Sequence, residues 1–294
     1  MRNLKNYPKF IFLLLFLITI VSFLYQIIRK CTDFRSPNRV LNSNTVSKVT
    51  IYFITPTYNR PVQEAELTRL SSTLLLMPNV HWILVEDASN RTGLINDLLD
   101  RVYKRRIYQF NYTHLYAETP IRFKTRLRDP NWLKPRGVWQ RNEALRWIRE
   151  NVPNNKKGVV YFGDDDNTYD PRLSEELITT EKVSVFPVGL VGGLLVEKPL
   201  VQNNKVFGFN SIWKTKRKYP IDMAGFAINL KLIHKFKNVF FSPYVPRGYQ
   251  ETHLLSQVIQ SIEDLEPKAD QCSKVLVWHT RTENPKIKKI NNKS

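Results

Sequence analysis

Hydrophobic and polar positions along this chain follow two periods. Short apolar runs rich in Val, Ile, Tyr and Phe occupy residues 49–54, 80–85, 158–162 and 274–278. Each is too short for an ordinary helix and ends at turn or polar residues, so each is expected to form a buried strand. Between them lie stretches with helical spacing. In residues 62–76, Ala65, Leu67, Leu70, Leu74 and Leu75 fall on one face, with Glu64, Glu66 and Arg69 facing outward. In residues 137–151, Ala144, Leu145, Trp147 and Ile148 make an inward face, and residues 249–262 read as a further helix. Such alternation predicts an α/β fold with a mostly parallel central sheet. Ligands of these sheets sit beyond the carboxyl ends of the strands. Tyr58, Asp87, Asp164, Asp165, Asp166 and His279 all fall at such ends.

The first residues follow another pattern. Residues 10–28 (FIFLLLFLITIVSFLYQII) contain no Asp, Glu, Lys or Arg, and Arg2, Lys5 and Lys9 precede them. As a helix this stretch spans roughly 28 Å, close to the thickness of a hydrocarbon core. It is longer than a signal-peptide core and lacks a small-residue cleavage site, so a retained signal-anchor is expected. The folded part then follows the anchor. Arg29, Lys30, Arg35 and Arg39 beyond the span weaken the charge bias that sets orientation. Sequons at Asn90 and Asn111 fit a lumenal domain. The expected organisation is a cytoplasmic tail (1–9), a transmembrane helix (10–28), a polar stem (29–48), a catalytic domain (49–285) and a basic tail (286–294).

Composition narrows the function. The chain has 294 residues, 42% hydrophobic and 12% aromatic, enough for a large core. A formal charge of +19 favours acidic partners such as nucleotide-sugars, polyanionic glycans, anionic membranes or nucleic acid. The Lys and Arg residues are scattered and no nucleic-acid motif is present, which argues against nucleic acid. Two cysteines, Cys31 and Cys272, make no disulfide framework. Cys31 follows the apolar run, where palmitoylation, an inert thiol and an interchain disulfide all fit.

Three consecutive carboxylates, Asp164 to Asp166, directly follow the strand GVVYF. Adjacent like charges repel, and a divalent cation relieves that repulsion. Oxygen ligands favour Mg²⁺ or Mn²⁺, which bind one or two carboxylates plus phosphate oxygens. A solvated acidic turn leading to a helix capped by Asp170 is the plainer reading. The same residues also match the D-x-D-x-T pattern of haloacid-dehalogenase phosphatases. That family's pattern opens its domain and is followed by a paired-acid motif, and neither holds here.

The segments ITPTYNRPVQEAELTRL, HWILVEDA, PRGVWQRNEALRW, GVVYFGDDDNTY, VGLVGGL, DMAGFAI, PRGYQE, DLEPKA and VLVWHTRTE run in order from Ile54 to Glu283. In this set the chain resembles the animal β-1,3-glucuronyltransferases. The resemblance implies a type II membrane enzyme of the GT-A fold that transfers glucuronic acid from UDP-glucuronate with inversion, using Mn²⁺. It implies that Pro56, Thr57 and Tyr58 form the uridine-side loop, with Tyr58 stacked on uracil and Asp87 bonded to its imide. Asp164 and Asp165 resemble the residues on the ribose and sugar side, and Asp166 the metal ligand. Arg136 and Arg141 match donor-binding arginines, while His279, Thr280 and Arg281 match the diphosphate end. Glu251 matches the catalytic base. Glu197, Trp213, Arg217, Asp222 and Arg247 occupy acceptor-side positions. Taken singly, these residues also have ordinary readings. Glu251 suits a helix N-terminus, His279 a structural histidine, Trp213 a half-buried aromatic, and either arginine a surface helix residue.

The expected acceptor is a galactose-terminated glycan, either the Gal-Gal-Xyl linker of proteoglycans or N-acetyllactosamine. The resemblance also implies a Golgi location and homodimerisation. Residues 210–219 (NSIWKTKRKY) are more basic than the resemblance leads one to expect, and the tail is short. An inactive, lectin-like member that binds glycan without transfer is the alternative.

Overall fold

The computed structural model describes residues 22, 49–106, 110–125, 129, 134–213 and 216–283. The expected transmembrane segment (apart from Ser22), the stem with Cys31 and the basic tail lie outside the described residues. Among the described residues no helix is long and apolar enough to cross a membrane.

In chain order the elements are β1 (Thr50–Thr57), α1 (Gln63–Leu74), β2 (Val80–Glu86), α2 (Gly93–Lys104), β3 (Phe110–Tyr116) and α3 (Val138–Asn151). Then come β4 (Gly158–Phe162), β5 (Thr168–Tyr169), α4 (Leu173–Leu177), β6 (Val183–Val185), β7 (Val188–Val191), β8 (Leu194–Gln202) and β9 (Lys205–Asn210). The chain closes with β10 (Phe226–Asn229), α5 (Leu230–Lys235), α6 (Gln250–Ser256), β11 (Leu265–Pro267) and β12 (Val277–Trp278).

A seven-stranded sheet runs β11-β6-β10-β4-β1-β2-β3. Its strands pair in parallel except around β10, which runs against both β4 and β6. The expected mostly parallel α/β sheet is therefore present. The chain lays β1, β2 and β3 outward to one edge, then returns to place β4 on the other side of β1. That reversal opens a crevice at the carboxyl ends of β1 and β4, the kind of switch point at which α/β sheets bind ligands.

Alternation along the strands divides the core. Ile51 and Phe53 of β1 pack with Leu67, Leu70 and Leu74 of α1 and with Ile95, Leu98 and Leu99 of α2. Tyr52 and Ile54 face the other side, with Ala144, Leu145 and Ile148 of α3 and Leu254 and Leu255 of α6. Both faces are covered, as the continuous apolar runs require. The smaller sheet, β5-β12-β7-β8-β9, adds the wall that carries Glu197 and leads to His279.

Several boundaries depart from the sequence expectation. β1 continues through Pro56 to Thr57, paired with β2. Its pairing with β4 ends at Ile54, so the missing Pro56 N–H breaks no ladder bond on that side. The helix expected over 249–262 ends at Ser256. The Gln257 side chain turns to the main chain of Phe240, and a Ser261–Asp264 capping box begins a separate 3₁₀ turn. The last strand is Val277–Trp278 alone. The sequence reading did not place α2, although Ile95, Leu98, Leu99 and Val102 carry helical spacing.

Candidate active site

Two clefts meet at the ends of the strands. The first, of about 430 Å³, is lined by Pro56, Thr57, Tyr58, Asp87, Arg136, Arg141 and Asp164 to Asp166. The second, of about 770 Å³, is lined by Glu197, Trp213, Arg217, Asp222, Arg247, Glu251, His279, Thr280 and Arg281. The fold thus gathers every expected donor, acceptor and catalytic residue into one of two neighbouring spaces. His279, Thr280 and Arg281, expected on the donor side, sit on the wall of the second cleft. Thr280 joins the two clefts, its hydroxyl donating to the Asp166 carbonyl at 2.6 Å.

In the first cleft, Tyr58 lies just beyond β1 and is 43% exposed, so it is not a turn aromatic buried against the core. The guanidinium carbons of Arg60 and Arg136 lie 4.5 and 5.8 Å from its ring centroid. Asp87 follows β2 and accepts the Thr119 N–H and hydroxyl, both at 2.7 Å. One bond to each oxygen leaves the carboxylate able to accept more. Gly137 precedes α3 as its N-cap at φ +69°, where a glycine is favoured, and a Cβ there would lie 2.4 Å from Arg141 Nη1. The glycine lets the buried Arg141 reach Asp164, with which it forms an ion pair, while Arg141 Nη1 donates to the Arg136 carbonyl.

The acidic triplet divides its work. Asp164 pairs with Arg141. Asp165 is buried and accepts the Thr57 hydroxyl at 2.6 Å, with Arg60 Nη2 2.7 Å away. Asp166 has no hydrogen-bonding or ion-pairing side-chain partner among the described residues. Burial, then Asp164, Asp165 and Glu66, push its carboxyl up to about 6. Among the described residues no three His, Cys, Asp or Glu side chains converge as a metal cluster. A partly buried, unneutralised carboxylate in an all-oxygen setting still fits a Mg²⁺- or Mn²⁺-type ion that completes its shell with phosphate oxygens. The triplet is therefore not merely a solvated turn. Asp170 does bind the Arg172 N–H at 2.9 Å beside it.

In the second cleft, α6 starts at Gln250 and carries Glu251 in its first turn. Glu251 Oε2 has no hydrogen bond and lies 3.7 Å from Arg217 Nη1. Burial pushes its carboxyl up to about 7, Asp222 adds to the rise, and Arg217 and Arg141 oppose it. Asp222 caps a short 3₁₀ turn by accepting the Ala224 N–H at 3.0 Å. Burial would raise Asp222, but His279 and the Ala224 N–H outweigh it and hold the carboxyl below its usual range. His279 Nδ1 lies 3.4 Å from Asp222, and that contact is the main cause raising the imidazole to about 9 against burial. That direction favours the protonated imidazole at neutral pH.

Buried Glu197 accepts the Ser211 hydroxyl at 2.8 Å, and burial raises its carboxyl. Trp213 is half-buried, with the guanidiniums of Arg217 and Arg247 5.1 and 5.4 Å from its ring. Gly248 at φ +79° admits the indole, since a Cβ there would lie 2.0 Å from it. Part of the basic 210–219 segment lies outside the described residues. Both sequon asparagines are exposed, Asn90 in the loop after β2 and Asn111 on the edge strand β3. Sequence reasoning missed Arg60, Thr119, Phe123, Lys124 and Gln140 in the first cleft. Of these, Arg60 had a signal in its place directly after the Thr57-Tyr58 loop.

This arrangement accompanies a family match over residues 70–283 to the model described as glycosyltransferase family 43. The chain belongs to glycosyltransferase family 43. The enzyme class that the sequence resemblance implied, a glycosyltransferase, holds. Galactosylgalactosylxylosylprotein 3-beta-glucuronosyltransferase sqv-8 of Caenorhabditis elegans is 50% identical over 81% of this chain and 66% of its own length. The relative named galactosylgalactosylxylosylprotein 3-beta-glucuronosyltransferase 1 in Rattus norvegicus is 52% identical over 80% of this chain and 70% of its own. The one numbered 3 in Homo sapiens is 49% identical over 81% and 72%. The matches thus span about two thirds of these relatives' lengths.

Proposed function

We propose that this glycosyltransferase transfers glucuronic acid from UDP-glucuronate to the 3-hydroxyl of the terminal galactose of a Gal-Gal-Xyl glycan, inverting the anomeric centre. The observation that carries the reading is Glu251, a half-buried carboxyl raised to about 7 with one oxygen unbonded, lining the cleft next to the acidic loop. The relatives' printed names supply the acceptor class, and the second cleft offers polar and aromatic groups suited to a sugar.

Glu251 takes the proton of the acceptor hydroxyl as that oxygen attacks the anomeric carbon from the face opposite UDP. The bond to the diphosphate breaks, and negative charge grows on the leaving oxygen. Positive groups already in place at His279 and Arg141 receive that charge. Asp222 favours the charged form of His279, and Arg217 Nη1 stands 3.7 Å from Glu251 as a nearby positive charge. Tyr58 offers a face for uracil and Asp87 an acceptor for its imide N–H. A divalent cation such as Mn²⁺, held through Asp166, would offset diphosphate charge when bound. An anchor at 10–28, a Golgi lumenal site, glycans on Asn90 and Asn111, and a homodimer belong to the same proposal.

The test incubates the full chain in detergent with UDP-glucuronate, Mn²⁺ and two acceptors, a Gal-Gal-xyloside and N-acetyllactosamine. Transfer to the xyloside is expected. Failure on both, with UDP still bound, overturns the proposed transfer.

A further inference from the structure

Arg60 sits at the junction of the two halves of the first cleft, with a side chain only 10% exposed. Its Nη1 donates to the Tyr58 carbonyl at 3.2 Å, and its guanidinium lies 4.5 Å from the Tyr58 ring centroid. Its Nη2 pairs with Asp165 at 2.7 Å and with buried Glu66. The other Asp165 oxygen accepts the Thr57 hydroxyl at 2.6 Å, and that hydroxyl in turn accepts from Gln63 Nε2 at 3.1 Å. The far side of the acidic loop is fixed as well. Arg69 Nη2 and Thr280 Oγ1 both donate to the Asp166 carbonyl, at 2.7 and 2.6 Å.

We propose that Arg60 is a positioning residue for donor binding, locking the Tyr58 platform and the Asp164–Asp166 loop into one arrangement before a nucleotide arrives. This rests on the donor reading above and extends it to a residue of the cleft wall whose guanidinium is taken up by protein partners. The geometry has a physical cost and a return. Two carboxylates, Asp165 and Glu66, are buried together, and a single planar cation satisfies both. A guanidinium can also reach a carbonyl and lie against a ring at the same time, which an ammonium cannot. The return is preorganisation. A nucleoside diphosphate spans both halves, so every contact it makes depends on the distance between Tyr58 and Asp166. If that distance is already set, little ordering remains to oppose binding.

The consequence is a coupling that a merely stabilising residue does not produce. Removing the guanidinium should weaken binding of the base half and of the diphosphate half together. It should leave the second cleft, on other elements, unaffected.

The experiment uses the full chain in detergent and calorimetric titration with UMP, and with UDP in the presence and absence of Mn²⁺. Arg60→Met is expected to weaken UMP and UDP by about tenfold to a hundredfold, the scale of an ångström-sized misplacement. Arg60→Lys should restore thermal stability but not affinity. Asp165→Asn combined with Arg60→Met should lose no more UDP affinity than either single variant, since the pair acts as a unit. In turnover assays the donor KM should rise while the acceptor KM stays within twofold. Arg101→Met, which removes an exposed ion pair with Glu64 on the outer face, is the control and should bind UDP like wild type. UDP affinity within twofold of wild type in either folded Arg60 variant overturns the role of Arg60 and leaves the donor reading standing. If Arg60→Met does not fold, Arg60→Lys decides. A wild-type chain that binds neither UMP nor UDP overturns the donor reading and the role of Arg60 with it.

Discussion

Replacing Glu251 with Gln separates its chemistry from its packing. The amide has the same shape, and the carboxylate it replaces has an unbonded Oε2 and one 3.7 Å contact to Arg217, so few contacts are lost. Arg217 keeps its bonds to the carbonyls of Gly248 and Trp213. The variant should therefore fold and bind UDP normally while kcat falls about 10²- to 10⁴-fold, the usual contribution of a general base. The folded-state value of about 7, against an ordinary 4.5, supplies two further signatures. First, wild-type kcat/KM should rise with pH below about 7 and level off above it, whereas the variant should lose that limb. Second, stability should respond to pH. The folded pKa is raised, so the native state holds a proton that the unfolded chain has released between about 4.5 and 7. Stability contributed by this group is present below that window and lost as pH rises through it. The shift corresponds to an upper bound of about 3 kcal/mol, reduced by the 14% exposure of the side chain to the cleft. Urea unfolding of both proteins at pH 5 and pH 8 reads this directly. The variant's stability relative to wild type should be greater at pH 8 than at pH 5 by about 1–3 kcal/mol. Turnover within fivefold of wild type removes Glu251 as the base. An equal stability difference at both pH values refutes the buried-charge argument.

Other perturbations test the walls of the two clefts. Gly137→Ala forces a Cβ into the Arg141 guanidinium at a positive φ, and should cost about 1–2 kcal/mol of stability and raise the UDP Kd, measured by titration calorimetry. Gly248→Ala displaces the Trp213 indole, and should raise the acceptor KM several-fold with an unchanged UDP Kd; a joint rise of both would contradict the separation of the clefts. Asp166→Asn should abolish the Mn²⁺ dependence of UDP binding, and a wild-type dependence in that variant would move the metal to other residues.

The sequence by itself determined the elements whose physics is local. Apolar runs at 80–85 and 158–162 specify strands wherever they pack, and the spacing of Leu67, Leu70 and Leu74 specifies a helix face. Residue types at strand ends, Tyr58, Asp87 and the Asp triplet, marked where a ligand would sit, because parallel sheets place their strand ends together. The conspicuous segments from Ile54 to Glu283 named the family. Short strands such as β5 and β6 were not legible, since two or three residues carry no period and depend on neighbours for every hydrogen bond. The end of α6 was likewise decided by Gln257 reaching the chain at Phe240, a partner distant in sequence.

Only the tertiary structure decided how the candidate residues divide into two clefts, and that His279 and Thr280 line the second while the Thr280 hydroxyl bonds to the Asp166 carbonyl of the first. The state of each carboxyl was also a tertiary matter. Glu251 and Asp222 have similar local sequence standing, yet one is raised and the other lowered, because a proton's free energy depends on burial and on the charges folded beside it. Arg60 shows the same limit. A surface arginine after a turn and a buried clamp between Tyr58 and Asp165 look alike in sequence, and differ only in what the fold brings within 3 Å of the guanidinium.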